Sequence, residues 1–260
     1  MIVRTATAAV CLPILLGAVC LGGPWLAALV IGAAGVATLE YCKMAREQGA
    51  NPINAVSATL AVILSTRAYL SPEALGVIVI ALFISGVWLM IRFDRHSPML
   101  DLGHTLGGAI YVGWLLSYGP LLRLADGNGR EWLLLALLVT FVSDTCALLV
   151  GRVFGRHRMA MVISPGKTWE GSIGALIASV IATFTFVNLF ELNIDSAAMV
   201  ILGVLLGVVG QIGDLTESMF KRTSNLKDSG WVMPGHGGML DRLDSLMFNL
   251  PVVYYFSIWM

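Results

Sequence analysis

Charge is the scarcest commodity in this sequence. Only 12% of its 260 residues are Asp, Glu, Lys or Arg, against about 25% in soluble domains. Hydrophobic residues make up 57% of the chain and the mean hydropathy is +0.83, so water-soluble readings are excluded. Net charge is missing too: 16 basic residues face 16 acidic ones. No global attraction for nucleic acid follows, and no nucleic-acid partner is expected. Cysteine is sparse and unpatterned. Cys11, Cys20, Cys42 and Cys146 lie in or beside apolar runs without CxxC spacing, which fits small buried residues better than zinc ligands or a disulfide framework. No tandem repeat of fixed period is visible. Arg4 and the apolar residues behind it imitate a signal peptide, but no A-x-A-like site follows. An uncleaved first span is the better reading.

What is abundant is long apolar runs. A membrane-crossing helix takes about 20 apolar residues, and by that measure the chain offers about nine spans. They fall near residues 5–22, 24–42, 53–70, 73–92, 103–123, 131–150, 169–190, 196–220 and 243–260. The expected fold class is therefore all-α, a polytopic integral membrane helical bundle. It reads as one domain over 1–260, with scaffold helices in 1–130 and a catalytic half in 131–260. The fifth span is the weakest, being Gly-rich and preceded by RFDRHSPMLD. Arg92, Asp94, Arg95 and His96 in that knot read as a solvated loop or a contact for an anionic lipid headgroup. With the N-terminus in the cytoplasm, only Arg67, Arg123 and Arg130 of the 16 basic residues fall outside. That bias predicts cytoplasmic placement of both basic, glycine-rich loops, 151–168 and 221–242.

The polar residues crowd into the second half. Asp214, Glu217, Ser218 and Lys221 share one face of a helix by spacing. Asp241, Asp244 and Ser245 open the next apolar run, and the loop between holds Lys227, Asp228, His236 and several glycines. Acid clusters beside basic residues suit a metal ion holding a polyphosphate. Asp214, Asp241 and Asp244 are the candidate magnesium ligands, the alternative being a structural carboxylate–lysine pair within the bundle. Lys221, Arg222 and Lys227 are candidates for phosphate, and Arg242 for a bidentate phosphate clamp. His236 reads as a phosphate donor, a general acid or a turn residue. Asp144 lies in a small, polar stripe with Thr140, Ser143, Ala147 and Gly151. An ionised group in a membrane helix is costly, so Asp144 is either an interhelical hydrogen-bond partner or a functional acid, and the second reading is favoured. In SPGKTWEG, Ser164 and Pro165 begin a turn and Thr168 caps the following helix. Lys167 beside that helix start is a candidate anion contact, or an interface lysine. GKT is not a P-loop: Met161 stands where the first glycine belongs. Glu40 and Glu170 are weaker candidates, for contacts behind the site.

These residues carry a resemblance. Ser218-x-x-Lys221-Arg222-x4-Lys227-Asp228-x-Gly230, then Pro234-x-His236-Gly237-Gly238-x2-Asp241-Arg242-x-Asp244, resembles the signature of the phosphatidate cytidylyltransferase (CDP-diacylglycerol synthase) family. Ser143-Asp144-Thr145 and Ser164-Pro165-Gly166-Lys167-Thr168 with Glu170-Gly171 agree in order and spacing, as does Gly213-Asp214-Leu215-x-Glu217-Ser218. The likeness is close over residues 140–250. It implies transfer of CMP from CTP to phosphatidic acid, with release of pyrophosphate. It also implies Mg2+, with a second cation as an option, held by Asp214, Asp241, Asp244 and Asp144. The implied catalytic set is Asp144, Lys167, Asp214, Lys221, Lys227, Asp228, Asp241 and Asp244. The implied substrate contacts are Ser164, Lys167, Glu170, Ser218, Lys221, Arg222, Lys227, His236 and Arg242. The expected partners are CTP, phosphatidic acid and the bilayer, with a homodimer as an assembly to test. The expected place is a bacterial inner membrane, with the active site facing the cytoplasm.

Two other functions compete. A CTP-dependent lipid kinase, or a cytidylyltransferase acting on another lipid phosphate, would use a similar site. A secondary transporter also carries intramembrane acids and broken helices, but would place them at the midplane in corresponding halves. Here the front half has almost none.

Overall fold

The structure is a computed structural model and describes residues 2–93, 97–125, 127–230, 232 and 237–260. The chain divides into two compact units. One joins Met1–Leu121 with Phe220–Arg242, and the other joins Leu122–Met219 with Leu243–Met260. The loop after residue 220 belongs with the N-terminal helices.

In the first unit, α1 (Ile2–Leu21) and α2 (Gly23–Glu47) form the expected tight hairpin. Gly22 and Gly23 turn the chain at φ +66° and +48°, which glycine adopts without a Cβ clash. α3 (Asn54–Ser65) is short and ends in a 3-10 turn over Arg67–Tyr69. A second 3-10 turn, Pro72–Gly76, leads into α4 (Val77–Ile91). The fifth apolar run is not one helix. It is α5 (Pro98–Ala109), a π-helical stretch (Ile110–Trp114) and α6 (Tyr118–Leu124). Glycine explains the close packing of this run. A Cβ at Gly108 would lie 2.5 Å from the Tyr41 ring, and one at Gly113 would lie 2.5 Å from the carbonyl oxygen of Ala61. The local core is Leu60, Ala61, Leu64, Ala81 and Ala109.

The second unit holds α7 (Gly129–Phe154), α8 (Trp169–Leu189), most of α9 (Ser196–Thr223) and most of α10 (Leu240–Trp259). Where a loop is expected after α7, a hairpin pairs β1 (Arg158–Ala160) antiparallel with β2 (Ser164–Thr168). Thr168 caps α8 as its sequence position predicts, accepting from Gly171 N at 3.2 Å. Small residues bring the helices together, as in other membrane bundles. A Cβ at Gly171 would lie 2.7 Å from the Ala147 carbonyl oxygen, one at Gly203 2.6 Å from Val180 Cα, and one at Gly213 2.5 Å from the Asp244 carbonyl oxygen. Two interior polar contacts link helices: Asn249 Nδ2 donates to Thr140 Oγ1 at 2.8 Å, and Ser179 Oγ to the Gly203 carbonyl at 2.7 Å.

Among the described residues, five helices are long and apolar enough to cross a membrane: Gly23–Glu47, Ala74–Ile91, Gly129–Phe154, Trp169–Leu189 and Ser196–Thr223. α4 makes the point most plainly. Ile80, Phe83, Ile84, Met90 and Ile91 are all more than half exposed, a surface that only lipid would cover without cost. The protein is a polytopic α-helical membrane protein.

Close approach at Gly203 gives a stability test. Gly203→Val puts a side chain into the α8 backbone and should cost about 1–3 kcal/mol by overpacking, read as a lower thermal midpoint in detergent. Gly32→Ala, with nothing within 4 Å of its Cβ, should leave the midpoint unchanged or raised. Equal midpoints for Gly203→Val and the parent would contradict the packing.

Candidate active site

The first unit organises the loop between α9 and α10. The end of α9 is tied down first. Phe220 packs edge-on to Tyr41 and Tyr111, with ring centroids 5.9 and 5.5 Å away. Ser224 Oγ donates to the Met44 carbonyl at 3.0 Å, and Gln48 Nε2 donates to Ser224 Oγ at 2.9 Å. The chain then turns through Asn225 at φ +54°, a conformation asparagine tolerates better than most residues.

Asp241 is the hub of this loop. Its Oδ1 meets Lys221 Nζ at 2.7 Å, with only 8% and 14% of the two side chains exposed. Its Oδ2 accepts from Ser229 N at 2.9 Å, Ser229 Oγ at 3.0 Å and Gly238 N at 2.8 Å. A buried carboxylate demands such donors. Breaking a buried ion pair by removing one partner costs about 3–5 kcal/mol.

Behind Asp241 stands Glu40 of α2, 6% exposed. It accepts from Ser229 Oγ at 3.0 Å, Met239 N at 3.0 Å and Leu240 N at 2.9 Å. The Ser229 hydroxyl has one hydrogen and so serves one carboxylate at a time. Arg222, Lys227, Asp228 and Arg242 are exposed. His236 lies outside the described residues, as do Asp94, Arg95 and His96 of the earlier knot.

The second unit holds a separate polar cluster. Lys167, on β2, meets Asp214 Oδ2 at 2.7 Å, with 21% and 34% of the side chains exposed. Ser218 Oγ donates to Asp214 Oδ1 at 3.3 Å, one helical turn along α9. Asp144 is exposed and accepts from Ser245 Oγ at 3.3 Å. Asp244 Oδ1 accepts from Ser245 N at 2.7 Å. Glu217, on α9, is fully buried.

The structure thus joins Lys167 to Asp214, Ser218 to Asp214, Lys221 to Asp241, and Ser245 to Asp144. It gives Glu170 a different set of neighbours. Glu170 Oε2 accepts from Arg156 N at 3.1 Å, and Oε1 lies 2.7 Å from His157 Nδ1. It fastens the turn between α7 and the hairpin. Ser164 begins β2 and is half-buried. Ser229 is the participant that residue-by-residue reading passes over. Its signal is weak, a serine beside one of the loop glycines. Among the described residues, no three His, Cys, Asp or Glu side chains form a group that could hold a metal ion.

Chemically, each cluster sets a lysine ammonium against a carboxylate and keeps hydroxyl or amide donors around it. Such groups are fixed dipoles and charges in a low-dielectric setting, suited to phosphate chemistry.

Comparison with known proteins gives a consistent answer. The profile of the cytidylyltransferase family matches residues 2–259. A protein from Staphylococcus haemolyticus named phosphatidate cytidylyltransferase is 35% identical over 255 residues, 96% of each chain. One of the same name from Staphylococcus saprophyticus is 40% identical over 171 residues, 66% of this chain and 64% of that one. A third, from Staphylococcus aureus, is 38% identical over 171 residues, with the same shares of each chain.

The Glu170 contacts are testable by proteolysis. Glu170→Ala frees the Arg156 and His157 amides and the His157 ring. Trypsin should then cleave after Arg156 and Arg158 several-fold faster in the detergent-solubilised protein. An unchanged rate would show that Glu170 does not hold this turn.

Proposed function

This chain belongs to the cytidylyltransferase family, and from that premise we propose that it transfers CMP from CTP to phosphatidic acid. The products are CDP-diacylglycerol and pyrophosphate, a step of phospholipid synthesis. The observation that carries the reading is the family match over residues 2–259. The two lysine–carboxylate pairs, on the segments that bear the signature, support the choice of residues.

The reaction is an in-line displacement. An oxygen of the phosphatidate phosphate bonds to the α-phosphorus of CTP as the bond to the β-phosphate's bridging oxygen breaks. That attacking oxygen is already anionic at neutral pH, so no strong general base is needed. What is needed is positioning and neutralisation of charge. We assign Lys221, Arg222 and Lys227 to the phosphates of CTP, and Arg242 to a phosphate clamp. Lys167 and Asp144 are assigned nearer the phosphatidate headgroup, or in Asp144's case to a second cation. Ser164, Ser218, Asp228 and His236 complete the proposed set. Glu170 supports the hairpin that carries Lys167.

The residue types suit Mg2+, which favours carboxylate and phosphate oxygens; phosphate oxygens of CTP would complete a ligand set that the described side chains do not gather by themselves. Asp144, Asp214 and Asp244 are proposed ligands, none of them a fully buried side chain. Asp241 is more heavily committed, and an ion at its Oδ1 would take the place of the Lys221 ammonium. When bound, Mg2+ would offset the charge on the phosphates and on the departing pyrophosphate.

We place the site on the cytoplasmic side of a bacterial inner membrane, because the positive-inside bias puts both basic loops there. α1, α3, the α5–α6 run and α10 would complete a bundle of about nine spans. The acyl chains stay in the bilayer. A homodimer is the assembly we would test first.

Purified protein in detergent should make CDP-diacylglycerol only when CTP, phosphatidate and Mg2+ are all present. Asp241→Asn keeps the size of the side chain but turns an amide toward either Lys221 or the loop amides. We expect at least a 100-fold loss of product with the protein still inserted. Full activity would refute the assignment of Asp241. Lys227→Ala should raise KM for CTP about tenfold or more with KM for phosphatidate little changed, on the scale of one lost charge-assisted contact. An unchanged KM for CTP would remove Lys227 from the site.

A further inference from the structure

We propose that Glu40 of α2 is a positioning residue for the reaction, holding the loop that aims Asp241 and Lys221. The proposal rests on the catalytic assignment of those two residues given above. Glu40 lies far from the signature in sequence, inside an apolar run. It is nonetheless buried, and both of its oxygens are taken by the loop. Oε1 accepts from Met239 N at 3.0 Å, and Oε2 accepts from Leu240 N at 2.9 Å and Ser229 Oγ at 3.0 Å.

Met239 N and Leu240 N stand at the start of α10. The first amides of a helix have no partner within it, and a negative charge there is favoured by the helix dipole. Glu40 therefore caps α10 from another helix, and Asp241 is in the first turn that this cap orients. The hold is doubled through Ser229. Its hydroxyl lies 3.0 Å from Glu40 Oε2 and also 3.0 Å from Asp241 Oδ2. Ser229 N and Gly238 N complete the set on Oδ2. With Oδ2 fixed, Oδ1 is left facing Lys221.

The glycines on either side of the loop fit this role. A Cβ at Gly230 or at Gly238 would run into the Glu40 carboxylate. Glycine at both positions lets the backbone close over the acid. A carboxylate buried only to stabilise α2 would not need a loop from the other end of the chain shaped around it.

The test reads geometry and rate separately. Each Glu40 oxygen faces a backbone N–H, so Glu40→Gln must turn its NH2 toward one of these donors and the loop must let go on that side. The expected result is a fall in kcat of tenfold or more, with KM for CTP changed less than threefold. The rate at which an amine-acylating reagent labels Lys221 should rise at least fivefold, while labelling of exposed Lys43 stays level. Gly230→Ala, which leaves Glu40 in place but intrudes on it, should act in the same direction and covers the case where Glu40→Gln does not fold. Glu40→Asp, shorter by one methylene, should recover part of kcat relative to Glu40→Ala. A fall in kcat without any change in Lys221 labelling would overturn the proposal, as would no change in either. Faster labelling with kcat intact would instead overturn the catalytic assignment of Asp241 and Lys221, while leaving the grip of Glu40 on the loop in place.

Discussion

A carboxylate in an apolar setting has to be answered by donors or by a cation, and the polar part of this protein is built around that demand. Water would otherwise solvate the charge, and replacing that solvation takes several groups at once. Asp241 is answered by Lys221 and three loop donors. Glu40 is answered by two amides, with the single Ser229 hydroxyl shared between it and Asp241, and Asp214 by Lys167 and Ser218. The donors are mostly backbone amides of a glycine-bearing loop and helix ends. Such groups are rigid once the fold is formed, so the same hydrogen bonds that make burial tolerable also set the orientation of the charged atoms. For a reaction that moves a cytidylyl group from a triphosphate to a lipid phosphate, preset charge is what a protein can supply.

The same logic accounts for the contrast between the lysines. Lys167 and Lys221 are ammonium groups held against carboxylates at 2.7 Å, whereas Lys227 stands exposed. Held lysines keep their position before any substrate arrives. An exposed one is free to follow a flexible triphosphate, at the cost of side-chain entropy when it binds.

Much of this was legible in the sequence. Long apolar runs mark the membrane helices because the bilayer sets their length, and α7, α8 and α9 lie where the runs predict. The helix period places Asp214 and Ser218 on one face, and they are hydrogen-bonded in the structure. Thr168 reads as a cap and is one. Other features were not legible. The fifth run breaks into α5, a π-helical stretch and α6, and its Gly108 and Gly113 pack against Tyr41 and Ala61, features that hydropathy does not encode. The β1–β2 hairpin is short, with no apolar alternation to announce it. The Glu170 contacts with Arg156 and His157 depend on how the chain turns after α7, which spacing alone does not show. The partnership of Glu40 with Leu240 spans 200 residues. Local periodicity carries no information on which distant amides will meet a given acid.

The most direct measurement follows phosphorus through one turnover. CTP carrying separate labels on its α- and γ-phosphates would be incubated with the purified protein, phosphatidate and Mg2+. Cytidylyl transfer predicts the α label in the organic-soluble lipid and the γ label in pyrophosphate. The γ label in the lipid, with the α label left in free CDP, would identify a kinase and contradict the account.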